Sequence, residues 1–206
     1  MSDPPLAIVI ASANRHKVDE ILAILEPLVA SRVAFVSRPD EIGEIDETGD
    51  SLEENARLKA TVVAEVTGLP AVADDTGLEV DALSGAPGVF SARYAGEGAS
   101  DEENVAKLLA ALEGVTDRTA RFRTAAVVVF PDGRSISAAG AVEGRISTRR
   151  QGDAGFGYDP LFIPDGEARS LAELSSQEKH ALSHRGRAFR ALATALLSSL
   201  DDREGK

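Results

Sequence analysis

Two adjacent carboxylates, Asp74 and Asp75, close the apolar run "AVADD" and precede "TGLEVDAL". The carboxyl end of a buried strand is where open α/β sheets bind ligands. An aspartate placed there serves as a general base or as an oxygen ligand for Mg²⁺. Asp-Asp-Thr-Gly is also good turn composition, so a solvated turn is the competing reading. Upstream, "EIDETGDSLEEN" supplies Asp46, Glu47, Glu53 and Glu54. One or two of these facing Asp75 would complete an oxygen-rich Mg²⁺ site. The others read as surface acids or helix caps.

A second chemistry is suggested by misplaced charge. The N-terminal turn of a helix carries partial positive charge and favours acids. The segments after Ser51 and Ser100 obey this rule with Glu53, Glu54, Asp101, Glu102 and Glu103. The segments after Asn14 and Ser183 break it, with Arg15, His16 and Lys17 in one and His184, Arg185 and Arg187 in the other. Each such base costs about 0.3–1 kcal/mol unless an anion sits there. An anion would meet backbone N–H groups, helix dipole and cations together, so the pattern suggests phosphate. Solvated bases paired with nearby acids are the alternative. No G-x-x-x-x-G-K-[ST] loop is present, and "GFGYDP" lacks the third glycine of a dinucleotide fingerprint.

The loop "GDAGFGYDPLF" sets Phe156 and Tyr158 among small residues. Either ring offers a flat face to a purine, or anchors the loop in the core. The histidines, His16, His180 and His184, are dispersed, and without cysteine they make no zinc site.

These residues need elements to hold them. "LAIVIAS" and "RVAFVS" read as strands. Val18, Ile21, Leu22 and Leu25 give the helix after Asn14 one apolar face. Ser51 with Glu54, and Ser100 with Glu103, form capping boxes, with Gly68 and Gly114 as stops. "AVADD" reads as a strand ending at its aspartates, and "LEVDAL" as a separate, half-exposed one. "RFRTAAVVVF" and "SISAAGAVEG" flank "PDG" as a hairpin. A last helix begins after Ser183, and the tail 201–206 reads as frayed. Strand–helix units imply parallel pairing and the hairpin an antiparallel pair, so the class is α/β with a mixed sheet.

Composition sets the bounds. With 206 residues and 43% hydrophobic content, the chain can bury a large core. Lys+Arg 22 against Asp+Glu 34 gives −12, which argues against a nucleic-acid partner. No apolar run spans a membrane and no signal peptide is visible. The cysteine count is 0, so disulfides are excluded, and a cytoplasmic location is expected.

Six motifs occur in order along the chain: "SANRHK", "ETGDSLEENARLKA", "ADDTGLEVDALSGAPGVFSARYAG", "GFGYDPLF", "EK" at Glu178–Lys179, and "SHRGRA". Together, from Ile8 to about Leu197, they resemble the inosine triphosphate pyrophosphatases, also called Ham1-like or non-canonical purine nucleoside triphosphatases. The resemblance implies one domain over residues 1–206: an elongated mixed sheet flanked by helices, in two lobes with a substrate cleft, assembled as a homodimer. It implies hydrolysis of ITP, dITP and XTP to the monophosphate and pyrophosphate with Mg²⁺. It implies that Ser12, Ala13, Asn14, Arg15, His16 and Lys17 wrap the triphosphate. Asp75 would be base and metal contact, Glu47 a second metal contact, and Thr76 a substrate contact. Phe156, Gly157, Tyr158, Asp159, Lys179, His184 and Arg185 would line the base pocket. His16 replaces a glycine that many members carry, and Thr76 replaces the more usual serine but keeps its hydroxyl.

Two other functions fit the motifs. One is a pyrophosphatase for other modified nucleotides. The other is a nucleotide sensor without turnover, although a pure anion binder gains nothing from carboxylates beside phosphate.

Overall fold

The computed structural model describes residues 4–29 and 31–204. Residues 1–3 and the last two of the 201–206 tail lie outside it. The elements run β1 (Leu6–Ile10), α1 (Arg15–Val29), β2 (Val33–Ser37), α2 (Leu52–Thr67), β3 (Ala71–Val80), β4 (Pro87–Gly88) and α3 (Asp101–Ala111). They continue with β5 (Thr119–Val129), β6 (Ser135–Ile146), β7 (Phe162–Pro164), α4 (Ser176–Leu182) and α5 (His184–Glu204). The strands form a mixed sheet of order β2-β1-β3-β5-β6-β7, with β4 pairing β3. β1 is parallel to β2 and β3, whereas β3–β4 and β6–β7 are antiparallel.

The chain divides into two compact units. The first comprises residues 1–75, 124–140 and 185–206, and the second residues 76–123 and 141–184. In the first unit both sheet faces are covered. Ile8, Ile10, Val72, Ala126, Val128 and Phe130 pack with Ile21, Ile24 and Leu25 of α1 and Phe189, Leu192 and Leu196 of α5. The residues between them in sequence, Val9, Ala11, Ala71, Ala73, Val127 and Val129, pack with Ala56, Ala60 and Val63 of α2. This period-2 division sends consecutive side chains into different helical layers.

In the second unit Leu78, Val80, Ala120, Phe122, Val142 and Ile146 meet Val105, Leu108 and Leu112 from α3 and its C-terminal turn. The alternate residues carry charge: Arg121 pairs with Glu79, Asp81 and Glu143, and Arg123 with Glu79. One sheet face here is core and the other is an ion-paired surface, so the sequence alternates.

Local signals account for most of the element ends. Ser100 and Glu103 form the complete capping box of α3. Ser51 accepts from the Glu54 N–H, but the Glu54 carboxylate turns to the N–H of Asp50, so that box is half made. Gly68 closes α2 in the left-handed region at φ 68°. α3 ends at Ala111, before Gly114, because Leu112 already satisfies the last carbonyls. α5 continues helically through residues 201–204, and Asp201 pairs with Arg32 at 2.8 Å, so this part of the tail is not frayed. The largest departure is β3. It does not stop at Asp75 but runs unbroken to Val80, joining the first expected strand to the first half of the second, whose last residues, Asp81–Leu83, form a 3-10 turn.

Ala56 and Ala60 are fully buried where α2 lies on the sheet. Ala60→Leu should overpack this contact and cost about 1–3 kcal/mol, read as a lower urea midpoint. An unchanged midpoint would mean that α2 stands off the sheet.

Candidate active site

Because β3 stays extended through its aspartates, Asp74 and Asp75 leave it on opposite faces. Asp74 follows the parity of Val72 and faces the layer of α1 and α5. Asp75 follows Ala71 and Ala73 and faces α2. Each carboxylate therefore acquires its own cations, both sets within the first unit.

On the α1 and α5 side, Arg185 donates from Nε and Nη2 to Asp74 Oδ2 at 3.2 and 3.1 Å. Its Nη1 donates to Glu20 at 2.6 Å. Lys17 Nζ lies 3.8 Å from the same Asp74 oxygen. The Asp74 side chain is 0% exposed and that of Arg185 2%. Burial alone would raise the Asp74 pKa, but the charges of Lys17, Arg185 and Lys59 outweigh it and hold the carboxyl well below the usual range. Lys17 is shifted down, chiefly by burial. One base from each of these two helix starts, Lys17 and Arg185, thus meets a protein carboxylate.

On the α2 side, Lys59 Nζ contacts Asp75 Oδ1 at 3.3 Å and Glu47 Oε1 at 2.5 Å. Asn55 Nδ2 donates to Asp75 Oδ2 at 3.4 Å, and its Oδ1 accepts the N–H of Gly49. Asn55 thereby ties the acidic loop to the aspartate. Burial pushes the Asp75 pKa up against the pull of Lys59 and Lys17. Burial would lower Lys59, but Asp75 and Glu47 reverse this and raise it. Two neighbouring carboxyls are thus driven apart, one fixed as an anion and one made more basic, the usual mark of divided catalytic roles.

Glu47 and Asp75 each direct an oxygen at one cationic point, the Lys59 ammonium. Converging carboxylate oxygens fit a hard divalent cation. Among the described residues no group of three or more His, Cys, Asp or Glu is placed to hold a metal. Two protein carboxylates, with substrate oxygens and water completing the shell, is the arrangement Mg²⁺ favours.

The other expected residues divide between the units. Asn14 Oδ1 accepts the N–H of Lys17 at 3.3 Å, and Ser12 Oγ accepts that of Asn14 at 3.2 Å. Ala13 and His16 are exposed. Arg15 lines a cavity of about 900 Å³ with Val18, Leu22, Phe35 and Arg38. In the second unit, Lys179 Nζ contacts Asp159 Oδ2 at 2.6 Å and lies 5.0 Å from the centre of the Phe156 ring. Tyr158 turns inward and donates to the Ser91 carbonyl, so its ring anchors the loop. His184 stacks on Phe122, ring centres 4.6 Å apart. Thr76 is half-buried on β3. The guanidinium of Arg185, which the resemblance implies at the base pocket, meets Asp74 and Glu20.

Three residues escaped sequence reasoning: Glu20, Asn55 and Lys59. Each left a faint signal. Glu20 is one helical turn beyond Lys17, on the same face. Asn55 and Lys59 are four apart on α2, and Asn55 is fully buried beside Ala56.

Opposite stability effects follow for the two aspartates. Asp74→Asn leaves Arg185 buried with one carboxylate lost, which should cost about 3 kcal/mol or more. Asp75 has a folded pKa above its ordinary value of 3.8. Its ionisation therefore works against the folded state as pH rises through that window. Asp75→Asn should be as stable as the wild type, or more so. Urea denaturation at neutral pH measures both, and equal losses would contradict the division.

Residues 8–195 match the model of the Ham1 family. The dITP/XTP pyrophosphatase of Geobacter sulfurreducens is 48% identical over 187 residues, covering 90% of this chain and 94% of that protein. That of Lactiplantibacillus plantarum is 50% identical over 192 residues, covering 92% and 94%. Among solved structures, a HAM1 protein from Coxiella burnetii has a TM-score of 0.84 at 42% identity, covering 94% of this chain and 99% of that one. A dITP/XTP pyrophosphatase from Mycobacterium abscessus has a TM-score of 0.72 at 44% identity, covering 91% and 97%. With its fold and nearly all of its length matched, the chain belongs to the Ham1 family.

Proposed function

We propose that this chain is a nucleoside triphosphate pyrophosphatase that hydrolyses dITP, ITP and XTP to the monophosphate and pyrophosphate. The observation that carries the reading is the Asp74–Asp75 pair, split across the sheet, with Lys17 on one side and Lys59 on the other. It suits hydrolysis beside a polyphosphate better than binding without turnover. The relatives named dITP/XTP pyrophosphatase support the substrate class.

In this reading Asp75, made more basic by burial, takes a proton from water as the water oxygen attacks the α-phosphorus. The bond from the α-phosphorus to the bridging oxygen breaks, and pyrophosphate leaves. Lys17 offsets charge on the leaving group. Asp74 stays ionised and orients Lys17, while Arg185 and Glu20 hold Asp74 in place. Lys59 restrains the Asp75 pKa. Mg²⁺, held by Asp75 and Glu47, would neutralise phosphate charge and polarise the phosphoryl oxygens. The resemblance assigns the purine to the aromatic loop, and Phe156 and the Lys179–Asp159 pair offer a ring face and polar groups for it. His184 is placed at the same end and Thr76 at the substrate, both on the resemblance.

No helix among the described residues is long and apolar enough to cross a membrane. The same reading places the enzyme in the cytoplasm as a homodimer.

The test is incubation with ITP and Mg²⁺. Pyrophosphate and IMP should appear in equal amounts with no inorganic phosphate, and Lys17→Ala should lower kcat/KM about a hundredfold or more. Binding without release would favour a sensor. A stronger response to modified pyrimidine triphosphates would favour the broader house-cleaning role.

The pH profile provides a second check. If Asp75 is the base, kcat/KM should fall on the acid side with a midpoint above 3.8. Lys59 is the largest charge lowering the Asp75 pKa, so Lys59→Met should move that midpoint higher still. A downward move, or none, would remove Asp75 from the role.

A further inference from the structure

Three consecutive residues of the aromatic loop are pinned by three different anchors. The Phe156 N–H donates to Asp159 Oδ2 at 3.0 Å. The Gly157 N–H donates to Asp101 Oδ2 at 2.7 Å. The Tyr158 hydroxyl donates to the Ser91 carbonyl at 2.9 Å. Asp159 already meets Lys179, and Tyr158 is buried, so these two anchors belong to the core of the second unit. Asp101 does not. It is exposed on the first turn of α3, which buries Asn104, Val105 and Leu108. The packing of α3 does not require its bond to the loop.

The position of that carboxylate is nonetheless closely fixed. The Ser100–Glu103 capping box sets the first turn of α3, and the helix dipole favours an acid there. Gly157 needs such a restraint. It sits at φ 59°, and a Cβ on it would meet nothing within 4 Å, so side-chain packing does little to hold it. Glycine also has the most backbone freedom to lose. A charge-assisted bond to its N–H adds to the Asp159 and Tyr158 anchors a restraint at the residue next to Phe156, against movement of its ring away from Lys179.

We propose that Asp101 is a positioning residue for substrate recognition: by holding the Gly157 N–H it fixes Phe156 over Lys179 and so sets the affinity for the purine. The proposal rests on the reading that this loop meets the base.

Four variants test it, with KM and kcat for ITP and hydrogen exchange of the 154–159 segment as readouts. Asp101→Ala should speed exchange in the loop and raise the KM for ITP about three- to tenfold, with kcat within about twofold. Asp101→Asn keeps an oxygen acceptor and should bring KM back to within about twofold of wild type. Glu103→Ala removes half of the capping box without touching Gly157, and leaves Ser100 Oγ accepting the residue-103 N–H, so it should lower Tm and raise KM by clearly less than Asp101→Ala. Phe156→Ala should raise KM by at least as much as Asp101→Ala. If Phe156→Ala raises KM and Asp101→Ala does not, the base-loop reading stands and the proposal alone falls. If Phe156→Ala leaves KM unchanged, the reading falls and takes the proposal with it. An equal KM rise in Glu103→Ala would assign the effect to the helix end and overturn the specific role of Asp101.

Discussion

Asp74 and Asp75 are consecutive residues of an extended strand, so their side chains leave it in opposite directions. A sheet covered on one face only would leave one of them in water. In the first unit both faces are covered, and both aspartates are buried. Each must then find its own cations, and the helices supply them from different layers: Lys17 and Arg185 from α1 and α5, Lys59 from α2. The backbone period of two thus converts a repeated residue into two chemical identities. Asp74 is a locked anion, and Asp75 a carboxylate whose ionised form is held less firmly.

The basic residues at the starts of α1 and α5 follow from the same arrangement. A base in the first turn opposes the helix dipole, yet Lys17 and Arg185 both face Asp74, whose burial would be costly without them. The conflict visible in sequence is therefore partly resolved inside the protein. Arg15 and His16 are placed differently. Arg15 opens onto the cavity beside β2, and His16 is exposed.

Legibility in the sequence followed the range of the interactions. The capping box of α3, the glycine stop of α2 and the β5–β6 hairpin are local devices, and each could be read from a few residues. The apolar stripes of α1 and α5 were equally plain. The course of β3 was hidden, because Asp-Asp-Thr-Gly has turn composition and only tertiary contacts keep it extended. Those contacts are the pairings with β4 and β5, and the cations that meet the aspartates are as distant, Arg185 lying 111 residues from Asp74 in sequence. α4, seven residues long, is too short to show a period. Lys59 lay inside a quoted motif, but nothing in its spacing shows that Glu47 would fold back onto it. The resemblance drew the site residues together by motif, whereas the bonds from Arg185 to Asp74 and Glu20, 111 and 165 residues away, leave no trace in local spacing.

The central claim is that two adjacent aspartates are driven in opposite directions by the two faces of one strand. The direct measurement is a pH titration of the aspartate side-chain carboxyl ¹³C shifts, with Asp74→Asn and Asp75→Asn used for assignment. Asp75 should titrate with a midpoint above 3.8, while Asp74 should remain ionised to the lowest pH at which the fold persists. Asp75 titrating at or below 3.8, or Asp74 titrating above it, would contradict the account.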